Sequence, residues 1–123
     1  MIRPVLFGAP LVALALTAAA EPADIVRPDM PGRQVFEHQC APCHGTGPGA
    51  DGSPMLPGTA ALAAKYDGAR PAALELRGDL PAPVLRLFVR RGVGVMPPFR
   101  KSELTDGQID ELAAYLAATA AAN

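Results

Sequence analysis

The stretch CAPCH, residues 40–44, holds both cysteines of the 123-residue chain and one of its two histidines. Three chemistries use such a cluster: a redox dithiol, a structural zinc site and a covalently anchored haem. A thioredoxin-like dithiol needs C-x-x-C with a depressed thiol pKa in a βαβ context. A closed zinc site needs four ligands. Here only Cys40, Cys43, His44 and His38 are at hand, and His38 is too close in sequence to approach a metal from another side. His38 reads instead as a solvated helix residue. Haem attachment uses C-x-x-C-H, and its spacing has a geometric reason. On a helix Cys40 and Cys43 lie one turn apart on one face, so their sulfurs can meet two vinyl groups of one porphyrin. His44, four residues after Cys40, points the same way and can reach the iron.

The chain opens with MIRPVLFGAPLVALALTAAA, a basic start at Arg3, an apolar run and small residues up to Ala20. That pattern predicts a secretory signal over residues 1–20, cleaved before Glu21. The run is shorter than the ~20 apolar residues a membrane span needs, and Pro4, Gly8 and Pro10 interrupt it. Export to a bacterial periplasm, without stable membrane insertion after cleavage, is therefore expected. In an oxidising compartment two free thiols would pair. Thioether bonds to a porphyrin would consume both.

Eleven basic residues stand against twelve acidic ones, but they are segregated. Residues 21–64 carry two basic and five acidic side chains, residues 102–123 four acidic and no basic ones, and residues 65–101 a net charge of +5. The slightly negative total and the low aromatic content argue against nucleic-acid binding. Half the residues are apolar, yet there is no Trp and much of the apolar count is Ala. Small side chains bury little area, so a domain of this size built from them has a thin core that something else must fill.

Residues 21–30 read as an exposed arm. A first helix is predicted from Pro31 through GRQVFEHQC, with Asp29 placed to cap it. Residues 45–58 contain five Gly and three Pro and predict a loop. Short helices are expected over 59–66 and 71–77. A longer one over 81–91 should present Val84, Leu87 and Phe88 on one face, with Arg86 and Arg90 opposite, and end at Gly92. The last helix follows the capping-box pattern TDGQ at 105–108, with Ile109, Leu112 and Leu116 on one stripe. No strand pattern stands out, so the fold class is all-α.

A haem held by His44 would need a second axial ligand. Met30, Met55 and Met96 are the candidates after residue 20. Met96 lies fifty-two residues beyond His44, enough chain to fold round to the opposite face. Its setting, GVGVMPPF at 92–99, favours it: glycines permit unusual turns, and Pro97 pushes Met96 into an extended shape.

With these elements together the chain resembles a class I c-type cytochrome, over most of residues 31–118. Besides CAPCH and MPPF, the family packs a Gly and an aromatic of its first helix against a Leu-x-x-Tyr pair of its last, and Gly32, Phe36, Leu112 and Tyr115 stand at the matching places. The resemblance implies four to five helices in a domain over 31–123, wrapped around one haem c. It implies Cys40 and Cys43 as covalent anchors and His44 and Met96 as iron ligands. It also implies a proline carbonyl on the histidine Nδ1, for which Pro57 is the candidate. Tyr66, Arg77, Arg100 and Lys101 are available to the propionates. The absence of Trp departs from the family.

With both axial positions filled, the implied function is single-electron transfer rather than enzyme catalysis, at a relatively high potential. LRLFVRRGVGVMPPFRKSELTDGQIDELAAYL is similar in texture to cytochrome subunits served by flavoprotein dehydrogenases of the p-cresol methylhydroxylase type. Electrons would then come from such a donor and pass to a respiratory acceptor, with docking near Arg91, Arg100 and Lys101. A haem sensor or peroxidase-like protein with a labile Met96, and a dithiol oxidoreductase, are the competing functions.

Overall fold

The computed structural model describes residues 24–123, so the expected leader over 1–20 lies outside the described residues. Pro31 opens α1 (Pro31–Val35), where its missing N–H is one a helix start leaves unpaired anyway. Met30, not Asp29, takes the cap position, and it caps through its carbonyl, which accepts from the Arg33 N–H at 2.9 Å. The helix then deforms. Pro42 has no N–H for the His38 carbonyl and crowds it. The chain absorbs this in a π turn over Phe36–Cys40, where the Ala41 N–H bonds to the Phe36 carbonyl five residues back. The regular turn resumes as α2 (Ala41–His44).

Three further helices follow: α3 (Pro57–Tyr66), α4 (Ala82–Arg91) and α5 (Asp106–Ala122). No strand occurs among the described residues, and the all-α expectation holds. The capping box at the head of α5 is formed: Gln108 N–H donates to Thr105 Oγ1 at 3.2 Å, and Thr105 N–H donates to Gln108 Oε1 at 2.9 Å. Ile109, Leu112 and Leu116 are all buried, as the predicted stripe requires, and Tyr115 is buried beside them.

Helix α5 is the axis of the core, and α1 crosses it so closely that only glycine fits. A Cβ on Gly32 would lie 2.0 Å from the Glu111 carbonyl oxygen and 2.8 Å from Tyr115 Cβ. One turn on, Phe36 packs against the Tyr115 ring, with centroids 5.8 Å apart and planes tilted by 41°. Helix α4 packs on another side of α5 through Leu85 and Val89. The fully buried cluster draws on α1, the π turn, α4, α5 and the connecting Leu80 and Leu104, and on no residue of α2 or α3.

Four expectations need correction. Residues 24–30 are not a free arm. Ile25 is buried, Val26 exchanges backbone hydrogen bonds with the Asn123 side chain, and Arg27 donates to both oxygens of Glu75 at 2.8 and 2.9 Å. Residues 71–77 form a single 3-10 turn, Leu74–Leu76, because seven residues make a marginal helix and the Glu75 side chain is drawn inward to the Tyr115 hydroxyl. Helix α3 starts two residues earlier than expected, since Pro57 suits the first turn. On α4 the face turned to the core is Leu85 and Val89, with Val84 at its border, while Leu87 and Phe88 remain exposed. One turn of helix offers two apolar arcs, and α5 covers only one of them.

Candidate functional site

The Pro42 defect sets the local geometry of the motif. Cys40 precedes α2, Cys43 sits one turn later and His44 ends the helix. The two thiols are not joined; Cys40 is half-buried and Cys43 exposed. Burial, aided by the neighbouring Cys43, pushes the Cys40 thiol up to about 12. An attacking dithiol needs the opposite shift. Among the described residues no group of three or more His, Cys, Asp or Glu is arranged to hold a metal ion by itself. His38 lies exposed on the π turn, as a solvated residue should.

Helix α3 braces α2 from one side. The Thr59 hydroxyl donates to the Gly45 carbonyl at 2.7 Å, pinning the start of α3 to the end of α2. Gly58 then comes so near the imidazole that a Cβ would stand 2.6 Å from His44 Cε1, 2.7 Å from Nδ1 and 2.8 Å from the Cys43 carbonyl oxygen. Burial lowers the His44 pKa, which favours the neutral ring a metal requires. His44 Nδ1 is buried without a hydrogen-bond partner, so the bond it was expected to donate to the Pro57 carbonyl is not made. As the first residue of α3, Pro57 has its carbonyl committed along the helix axis. The backbone contact with the ring is Gly58's. Neither Thr59 nor Gly58 was singled out in sequence, since TA and PG are ordinary loop-to-helix text.

Met96 sits at the far end of α4. Gly92 ends that helix at φ 66°, with its Cα so close to the returning chain that a Cβ would be 2.4 Å from the Met96 carbonyl oxygen. Val93 and Met96 exchange backbone hydrogen bonds of 3.1 and 2.9 Å, closing a tight turn. Met96 and Cys40 both border the buried apolar cluster of the described residues, as does Met30, whereas Met55 is exposed in the 45–58 loop.

The basic middle is largely spoken for. Arg86 pairs with Asp110, Arg90 and Lys101 with Asp106, and Arg100 with Glu103. Arg77 is buried, bonded in a fork to Asp79 at 2.7 and 2.8 Å, with its guanidinium 4.7 Å from the Tyr66 ring centre. Arg91 alone of the three docking candidates makes no ion pair among the described residues.

The donor set fits a haem: two thiols one turn apart, an adjacent imidazole that burial keeps neutral, and a thioether held on a stiff turn. So does the uncovered apolar surface. Helix α3 buries only Thr59 despite its Ala-rich sequence, and Leu87, Phe88, Val93 and Val95 lie exposed around Gly92 and the turn that leads to Met96. Apolar helices that bury so little gain little stability of their own. Among the described residues no helix is long and apolar enough to cross a membrane.

Comparison with known families agrees. The model of the family described as cytochrome c oxidase, cbb3-type, subunit III matches residues 27–116. No curated protein matches the chain in sequence. The match spans the crossing, the CAPCH motif and the Met96 turn, and the chain belongs to this family of class I c-type cytochrome domains: an electron-transfer protein with covalently bound haem c and its iron, and not an enzyme.

Proposed function

We propose that Cys40 and Cys43 carry one haem c as thioethers, that His44 and Met96 are its axial ligands, and that the protein relays single electrons in the periplasm from a dehydrogenase to a respiratory acceptor. When bound, haem c supplies the Fe(III)/Fe(II) couple. The chain's own residues prepare for it. Gly58 and the Thr59 bond fix the plane of the imidazole, and the Val93–Met96 turn presents the thioether ready-made, which matters because a weak iron–sulfur bond cannot order a loose loop. A His/Met pair in apolar surroundings favours a relatively high potential.

The observation that carries this reading is that Cys40 and Met96, distant in sequence, border the same apolar cluster. Its test is the optical spectrum of the exported protein. The ferric form should show the weak far-red band of a thioether ligand, and Met96→Ala should abolish the band while leaving the haem attached. A colourless secreted protein with two titratable thiols would reject the reading.

The donor is a redox protein that presents an acidic surface to Arg91 beside the exposed Val93 and Val95. A flavoprotein dehydrogenase suits the texture of residues 85–116. Co-purification from native periplasm checks this: a flavin-containing partner is expected, and a partner without flavin removes the p-cresol methylhydroxylase-type comparison while leaving electron transfer intact.

A further inference from the structure

We propose that Asp106, acting through Arg90, is a positioning residue for the Met96 loop and sets how readily the thioether leaves the iron. This rests on the reading of Met96 as an axial ligand. The Val93–Met96 turn closes on itself, so its internal bonds do not decide where it points. Its two ends decide that. At the first, Gly92 lies against the Met96 carbonyl. At the second, both backbone groups of Phe99 are taken by the last turn of α4. The Phe99 N–H donates to the Val89 carbonyl at 2.8 Å, and the Phe99 carbonyl accepts from Arg90 Nη1 at 3.0 Å. Only Pro97 and Pro98 separate Phe99 from Met96, and two residues of fixed φ transmit its position stiffly.

Arg90 is itself held. Its Nη2 donates to Asp106 Oδ1 at 2.6 Å, while Lys101 Nζ lies 3.1 Å from Oδ2. One carboxylate thus gathers α4 on one flank of the loop and the segment beyond it on the other. Asp106 is a firm anchor because it begins α5, inside the capping box that Thr105 and Gln108 close and above the buried stripe. An anion there also faces the positive end of the helix. The guanidinium of Arg90, with Lys101, holds the Asp106 carboxyl at about 2, so the anchor keeps its charge at neutral pH. Arg86 approaches the same oxygen only to 3.8 Å and makes its short bond to Asp110 at 2.6 Å. Asp110 therefore joins the same two helices without touching the loop, which makes it a matched control.

The experiment is an imidazole titration of the ferric holoprotein, in which imidazole competes with Met96. Apparent affinity scales with the fraction of molecules whose loop is open, so Asp106→Asn should bind imidazole about tenfold more tightly and show a weaker far-red band. Arg90→Lys should shift it the same way, because one ammonium cannot replace a fork that serves the Phe99 carbonyl and Asp106 together. Asp106→Glu should restore most of the original affinity. Asp110→Asn should leave imidazole binding unchanged even where it lowers the unfolding midpoint as much as Asp106→Asn does. Equal imidazole affinity in Asp106→Asn and the unaltered protein, or an equal tightening in Asp110→Asn, would overturn the proposal. A different result would reject the underlying assignment: no far-red band in the unaltered protein, together with Met96→Ala binding imidazole no more tightly.

Discussion

Two glycines mark two ways of building close contact in this domain. Gly32 lets α1 and α5 touch backbone to backbone, and around that contact lie Phe36, Tyr115, Ile109, Leu112 and Leu116, all buried in protein. Gly58 lets α3 press on the His44 ring, and around it almost nothing else is buried: Thr59 is the sole buried residue of α3, and α2 has none. The crossing is finished by its own side chains. The half that carries CAPCH and Met96 is held at a few polar points and leaves apolar surface for the haem to cover. Stability and function are thereby divided, since a site whose core is its cofactor can tune the iron without rebuilding the scaffold.

Preparing the chain without haem should separate the halves most strongly. Residues 41–66 and 92–101 should exchange their amide hydrogens at nearly unfolded rates, while amides near the α1 and α5 crossing retain the most protection. Uniform loss of protection along the chain would mean that the crossing is no more self-sufficient than the site.

The two glycines give the next test. Gly32→Ala places a methyl against rigid backbone, and overpacking of that kind should cost roughly 3 kcal/mol in chemical denaturation while molecules that remain folded keep a normal far-red band. Gly58→Ala should cost about 1 kcal/mol or less, because the gain in helix propensity offsets part of the clash. Its effect should appear in the spectrum instead, as a displaced imidazole alters the far-red band and the midpoint potential. If Gly58→Ala proves the more destabilising and is spectrally silent, the division of roles is reversed.

The crossing was legible in the sequence because its signals are local and rigid. Pro31, the TDGQ cap and the stripe of Ile109, Leu112 and Leu116 each follow from helix geometry, and all three are found as expected. The site half was legible in its chemistry but less in its shape. Cys40, Cys43, His44 and Met96 stand out because their spacing suits one cofactor, the role proposed for them above. The brace by Gly58 and Thr59 does not, since it joins residues fourteen apart through a backbone carbonyl. The π turn follows from Pro42, but only once the helix is known to run through the motif. Glu75 shows how tertiary structure overrides propensity: a charged residue in PAALELR reads as a helix surface, yet Tyr115 and Arg27 compensate its charge inside the domain.

Acid should act on the polar ties of the site half. Arg77, by hydrogen bonding and charge, holds the Asp79 carboxyl at about 2, below its ordinary value of 3.8. A lowered folded-state pKa means that the pair contributes stability that is fully present above about pH 4 and lost as pH falls toward 2. The Tyr66 ring stacked on Arg77 connects this pair to the end of α3. Asp79→Asn should therefore flatten the fall of the denaturation midpoint over that window and leave the slope between pH 5 and 7 unchanged. An identical acid profile in the variant would show that the pair does not brace α3.

The smallest expected effect concerns the surface proposed to meet the donor. Arg100 and Lys101 lie close to Glu103 and Asp106, so their fields are partly cancelled, and altering Lys101 would also disturb the Asp106 anchor. Arg91 is exposed and unpaired among the described residues, two residues before the turn that presents Val93 and Val95. A single rim charge chiefly affects association rate, and salt screens it. Arg91→Gln should slow reduction by the physiological donor about threefold at low ionic strength and have little effect at physiological salt, where the screening length falls to roughly 8 Å. The double variant Arg100→Gln/Glu103→Gln removes an equal and opposite pair and should change the rate less. If that neutral exchange slows reduction more than the loss of Arg91 does, the donor reads the local arrangement of charges rather than the unpaired one, and docking has moved along the surface toward the head of α5.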